Sequence, residues 1–382
     1  MILCMRGRKE KHDAFLGAVV AYSILAVFIL QSQYGFVALL FSLTAYFMVV
    51  RHGAFSKNEI FLVLLFSVAI FPSLCFLQHG ASQYFYYFLT LICFLSASAF
   101  SRLGAYSIFI VTRMLFFSYV LFAFLVYYLY RDLAEPFSGL VEGSSTNGIP
   151  SYLIVVQVLY SLVYYSVHKR LPAISALLTL IVALLGIGRG SIYVALMIVV
   201  VSVFINSLID VISRRYFSII LLLSALVIGV GFILLNLDVL YALLDGRTKA
   251  LHGFVDPYRN RIVVEYFANL KWWQVFVGGD FKGTVISSLY DNNPHVAFIR
   301  SHAYMGIIYT ICILLSPLIF LLKSRSYLDS AIFFVFSSFL LLRAWSEPIL
   351  FPTALDFFYY LIFCFYFRHV FSIRNFDGNE VK

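Results

Sequence analysis

Three groups of residues have the types and spacing that chemistry would need, and each lies beside a long apolar run. The first is Gly186-Ile187-Gly188-Arg189-Gly190-Ser191. Gly188 and Gly190 let the backbone turn sharply and leave room for a ligand beside the Arg189 guanidinium. The plainer alternative is a tight turn whose arginine snorkels to the membrane surface. The second group is Asp291-Asn292-Asn293-Pro294-His295. Asn293 as N-cap and Pro294 at the first helical position predict a helix start with His295 in the first turn. The helix dipole disfavours an imidazolium there, leaving a neutral ring that can accept a proton. At 100° per residue, His302, Gly306 and Tyr309 lie within about 40° of the His295 face. One stripe then runs inward from the mouth, with Gly306 admitting another helix or a lipid chain. A capping histidine in structural company is the alternative. The third group is Arg259 and Arg261, which could equally be the basic residues of an interfacial helix meeting lipid phosphates.

Arginines beside a neutral histidine suit transfer from a diphosphate. Guanidinium groups bind the departing pyrophosphate bidentately and stabilise its growing charge, while the imidazole takes a proton from an attacking hydroxyl. Other chemistries lack their residues. The chain holds no Asp-x-Asp, and the first outer loop, Gln31-Ser32-Gln33, has no carboxylate to hold a metal or act as base. Neither a phosphate-cradling P-loop nor a Ser-His-Asp signature is present. The five cysteines show neither metal-ligand spacing nor a disulfide framework, and read as small apolar fillers. The expectation is a site with no metal and no cofactor.

The elements that must position these groups are membrane helices. The chain is 62% hydrophobic and only 12% charged, with mean hydropathy +0.94, so lipid must be the solvent for most of its surface. Twelve apolar runs approach the ~20 residues that a crossing helix needs. They are 14–30, 34–50, 59–77, 82–100, 105–130, 150–167, 171–187, 191–209, 216–235, 297–322, 327–345 and 349–367. Alternate loops and ends on one side hold sixteen Lys and Arg, against three (Arg131, Arg189 and Arg343) in the other short loops, which assigns both termini to the cytoplasm. That asymmetry also accounts for the net charge of +9 without nucleic acid. The basic N-terminus followed by an apolar run reads as a retained first span.

The expected organisation is a nine-span bundle over 1–235, an outer loop over 236–296 containing short helices, and a three-span bundle with a cytoplasmic tail over 297–382. Within the loop, 261–276 mixes apolar and polar residues and predicts one helix in the interface plane, with Trp272 and Trp273 at headgroup depth. Charges inside spans are few (Arg113 near the inner face and Asp356 deep in the last run), which disfavours a flippase or other transporter of lipid-linked oligosaccharide.

These residues resemble the Wzy-type polysaccharide polymerase and O-antigen ligase superfamily. His295, then Val296, nine residues, Gly306, two residues and Tyr309 follow the ligase signature except at Val296, where that signature has a polar residue. Arg189-Gly190 looks like the family's Arg-Gly element, and Arg261 through Gly278-Gly279 like its arginine-to-glycine stretch. The resemblance covers about 185–310 by motif and the whole chain by topology. It implies a GT-C-like fold in the bacterial inner membrane, acting on undecaprenyl-diphosphate-linked oligosaccharide at the periplasmic face. His295 would be the base, and Arg189, Arg261 and Arg259 would grip the pyrophosphate. Gly188, Gly190, His302, Gly306 and Tyr309 would support them. Val296 favours polymerase over ligase, and a chain-length-regulating co-polymerase is an expected partner.

Overall fold

The computed structural model describes residues 57–140, 146–212, 257–322 and 326–371, with Phe15, Ala18, Val19 and Tyr22 as isolated helical positions. The expected spans 34–50 and 216–235, and most of 14–30, lie outside the described residues. Described residues are helical or irregular, with no strand among them. The helices are α1 Lys57–Phe76, α2 Ala81–Phe100, α3 Ala105–Leu129, α4 Gly148–His168, α5 Ala173–Leu185, α6 Arg189–Ile212 and α7 Pro257–Ala268. The remainder are α8 Gln274–Val277, α9 Val285–Leu289, α10 Ala297–Leu315, α11 Leu318–Leu322, α12 Tyr327–Ser346 and α13 Asp356–Phe365, which continues as a π-helical turn, Tyr366–Phe371. Among the described residues seven helices (α1, α2, α3, α4, α6, α10 and α12) are long and apolar enough to cross a membrane.

Where expected spans and helices differ, proline or glycine is the usual cause. The run 171–187 gives the 13-residue α5, preceded by Pro172 and ended at Gly186. The run 297–322 is broken after Leu315, because Pro317 has no N–H to continue the ladder, and α11 follows as a short separate helix. The run 349–367 begins as irregular chain around Pro348 and Pro352. Its helix starts only at Asp356, whose carboxylate accepts the N–H groups of Phe351 and Thr353 at 2.8 and 3.0 Å. Asp356 is therefore a buried acid at the helix start that ties down the irregular chain before it.

The chain forms two compact units, Met1–Leu115 with Asp256–Lys382, and Phe116–Val255. In the first, Phe66 of α1 is a hub. Its ring meets Phe94 of α2, Tyr309 of α10 and Tyr360 of α13, all with centroids 5.8–5.9 Å apart. Hydrocarbon gives helices no hydrophobic reason to associate, so close ring packing and polar contacts must hold them together. Tyr309 and Tyr360 add a 3.0 Å hydrogen bond, and Ser316 and Tyr359 one of 2.6 Å.

In the second unit α4, α5 and α6 pack together. Thr179 of α5 donates to Gln157 of α4 at 3.3 Å, and Gln157 donates to Ser161 at 2.7 Å. Asn206 of α6 holds both backbone groups of Leu171 at 2.8 Å, beside an Arg170–Asp210 ion pair.

The first unit also contains a buried charge cluster. Arg343, 1% exposed, donates to Ser346 at 2.6 Å and lies 3.8 Å from Glu347 Oε1, which Arg259 of α7 approaches at 3.6 Å. Removing one partner of a buried pair costs about 3–5 kcal/mol, because the other charge is left uncompensated. Glu347→Ala should therefore lower the thermal midpoint of the detergent-solubilised protein sharply. The apolar pair Arg343→Met with Glu347→Leu should recover most of that loss.

Candidate functional site

In the first unit the loop segments 77–80, 269–296 and 347–355 share one end. His79 touches Gly279, Phe76 stacks on Trp273 at 4.9 Å, and Arg300 of α10 donates to the Pro348 and Leu350 carbonyls. The opposite end holds Glu59, Ser98, Arg102 and Arg368. The expected single interfacial helix over 261–276 is two, α7 and α8, separated by a turn through Asn269–Trp273. Lys271 N–H donates to Gln274 in that turn. Trp272 is 80% exposed while Trp273 is half-buried, so the two rings do different work: one projects outward and the other packs on α1.

His295 does not lie in a helical first turn. Asn293 Oδ1 accepts the His295 N–H at 3.2 Å, an Asx turn instead of an N-cap, and α10 begins at Ala297 with Val296 in the cap position. His295 itself has φ +52°, as Asp291 and Asn292 have +46° and +62°, so the backbone here is left-handed and cannot propagate a helix. The half-buried imidazole meets the edge of the Tyr290 ring at 4.8 Å. Held, non-glycine left-handed conformations concentrate at functional sites.

The stripe below His295 is interrupted. Gly306 has φ +81°, ψ +176°, which splits α10 into two segments. Only glycine fits: a Cβ would lie 2.4 Å from Ser73 Oγ of α1 and 2.8 Å from the Phe276 carbonyl of α8. The expected close approach at Gly306 is thus made by α1 and α8. Tyr309, beyond the kink, belongs to the aromatic hub.

His302, 2% exposed, has both ring nitrogens engaged. A carbonyl can only accept, so Nε2–H donates to Val275 O at 2.8 Å. In the neutral ring Nδ1 then accepts the Tyr266 hydroxyl at 2.8 Å, and the Tyr266 oxygen accepts the Gly279 N–H at 3.2 Å. Burial pushes the Tyr266 phenol well above its ordinary range, keeping it a donor. This chain ties α7, α8 and α10 together and makes His302 a strut.

The arginines carry partners of their own. Arg261 Nε donates to Glu265 Oε1 at 2.6 Å, and Glu265 Oε2 accepts the Val285 N–H at 2.9 Å. Those two hydrogen bonds hold the Glu265 carboxyl below its usual range, and the carboxylate in turn raises Arg261. Arg261 remains 63% exposed. Arg259 faces Glu347.

Arg189, Gly188 and Gly190 belong to the other unit. Arg189 is the first residue of α6 and Gly190 the second. A Cβ on Gly188 would fall 1.5 Å from Asn147 Oδ1, so a larger residue in this turn would displace the Asn147 side chain before α4.

Sequence reasoning overlooked His79, Glu347 and Tyr290. His79 donates from Nε2 to Gly279 O at 3.0 Å and stacks on Tyr304 at 4.2 Å. Burial holds its pKa below the usual histidine range, against the opposing influence of the Gly279 carbonyl and Asp280. A histidine in the four-residue connection between two apolar runs was the signal that could have found it.

The chain is a multi-pass α-helical membrane protein, with a clustered set of polar and charged groups at one end of its larger unit. No family model, curated protein or solved structure matches it. Tyr266→Phe removes the donor to a buried nitrogen and the acceptor of a buried N–H. Each group left unsatisfied costs about 1–3 kcal/mol. The variant should unfold at a lower temperature in detergent, as followed by intrinsic fluorescence.

Proposed function

We propose that the protein is a polysaccharide polymerase of the Wzy type, with a GT-C-like fold in a bacterial inner membrane and both termini in the cytoplasm. It moves the growing glycan from undecaprenyl diphosphate onto the next lipid-linked repeat unit at the periplasmic face. His295 takes the proton from the acceptor hydroxyl as its oxygen bonds to the anomeric carbon. The bond from that carbon to the diphosphate breaks, and its electron pair leaves with the undecaprenyl diphosphate. Arg261 faces the departing charge, and Arg259 shares that task. A co-polymerase that sets chain length would bind the same protein.

The observation that carries this reading is the His295 turn. A half-buried imidazole sits on a left-handed backbone, against Tyr290, and the exposed Arg261 pairs with Glu265, which accepts the Val285 N–H of the same loop. The spacing from His295 through Gly306 to Tyr309 supports it, and so does the glycine requirement at Gly306. Val296, buried and apolar at the α10 cap, supports the polymerase side of the superfamily over the ligase side.

Purified protein given lipid-linked repeat units should lengthen them in the presence of a divalent-cation chelator. His295→Ala should reduce the rate about 10²–10⁴-fold, the usual contribution of a general base. Arg261→Ala should reduce it about 10²–10³-fold, the usual loss of one charge stabiliser. Wild-type extension by His295→Ala would end the reading.

A further inference from the structure

At the opposite end of the same unit, α1, α2, α10, α11 and α13 line a half-open cavity of about 970 Å³. That lies near the upper limit of ~300–1,000 Å³ for sites that bury a whole small molecule. Its walls divide by chemistry. Phe66, Phe94, Tyr359 and Tyr360 line the deep part, while Glu59, Ser98, Ser101 and Arg368 gather at one end. The outer wall is formed by α10 and α11 on either side of the Pro317 break, and Ile311, Leu315, Leu318 and Leu322 there are exposed. An exposed aliphatic wall on membrane helices suits contact with acyl chains.

Among the described residues, the polar end brings two guanidinium groups to one carboxylate. Glu59 is held by Arg102 at 2.5 Å and by the Ser98 hydroxyl, while Arg368 approaches it at only 3.4 Å. Two guanidinium groups thus face one carboxylate, and the more weakly engaged of them, Arg368, is 37% exposed and lines the cavity. This is also the end that the lysine and arginine bias assigns to the cytoplasm, where bilayers carry anionic headgroups. Basic pockets between helices on that side bind phosphate-bearing headgroups.

We propose that this cavity binds an anionic glycerophospholipid of the cytoplasmic leaflet, with an acyl chain in the aromatic chamber and the phosphate hydrogen-bonded to Arg368. The apolar volume, its exposed aliphatic wall and the two guanidinium groups together select this occupant. Water would leave the chamber's apolar lining unmatched, and a neutral lipid would leave Arg368 without a phosphate. The site does not depend on the glycan-transfer reading.

The test is native mass spectrometry of the full-length protein released from nanodiscs containing equal amounts of phosphatidylglycerol and phosphatidylethanolamine. Wild type should retain phosphatidylglycerol preferentially. Arg368→Gln should reduce that retention about tenfold or more, the worth of one charge-assisted hydrogen bond. Leu315→Trp, which fills the chamber and leaves the charge cluster intact, should reduce it independently of any effect of Arg368 on folding. Cys312 and Cys364 line the chamber and supply a second readout. In a chain with Cys4 and Cys75 replaced by serine, maleimide labelling should be slower in phosphatidylglycerol vesicles than in phosphatidylcholine vesicles, and the difference should vanish in Arg368→Gln. Equal retention of the two phospholipids, undiminished retention in both variants, or retention of added polyprenyl phosphate in place of phosphatidylglycerol would overturn the proposal.

Discussion

Hydrocarbon supplies no water to a broken helix, so every interruption in this bundle must find its hydrogen-bond partners within the protein. That constraint organises the larger unit. Where 347–355 leaves helical geometry, Arg300 reaches from α10 to the Pro348 and Leu350 carbonyls, and Asp356 collects the N–H groups of Phe351 and Thr353. Where α10 kinks at Gly306, Thr310 donates to the Gly306 carbonyl at 3.0 Å and shares a hydrogen bond with Ser301. Arg300 and Asp356 thus answer backbone groups that a straight helix would have satisfied itself. The irregular stretches then lie where function can use them, at the mouth and beside the cavity.

The helices were legible because hydropathy is a sum over ~20 residues and tolerates local error. The runs at 59–77, 82–100, 105–130 and 150–167 match α1 to α4 within two residues at most ends. The interruptions were not legible on the same terms. Pro317 and Pro352 sit inside stretches apolar enough to read as continuous, and a hydropathy window averages over the missing N–H that stops the ladder. The interfacial segment failed similarly. Its apolar residues serve two short helices packed on different neighbours, which one amphipathic pattern cannot distinguish from a single helix.

The candidate site was legible in its residue types and not in its geometry. Asn293-Pro294 is a helix-start signal, but the Asn293 side chain can bond the N–H two residues on as readily as one in a helix. Here it takes the former partner, and His295 turns left-handed outside α10. The stripe argument assumed 100° per residue without interruption, and the Gly306 dihedrals remove that assumption halfway. Pairwise facts such as Glu347 lying between Arg259 and Arg343 join residues far apart in the chain, and no local spacing encodes them.

The two histidines of α10 and its approach illustrate why residue type underdetermines role. His302 lies at a spacing that suggested a shared functional face, yet its proton donor and its acceptor are both committed to neighbours in a dry interior. For it to take a proton from a substrate, the Tyr266 bond would have to break and a charge would appear where water cannot solvate it. His295 stands before the helix, half-buried, with its ring at the edge of an aromatic. An imidazole must change protonation state to act as a base, and only surroundings that can relax around both states allow that. The sequence places both rings on one line, but the Gly306 kink and the Asn293 turn give them different environments, a dry interior for His302 and a half-buried loop position for His295.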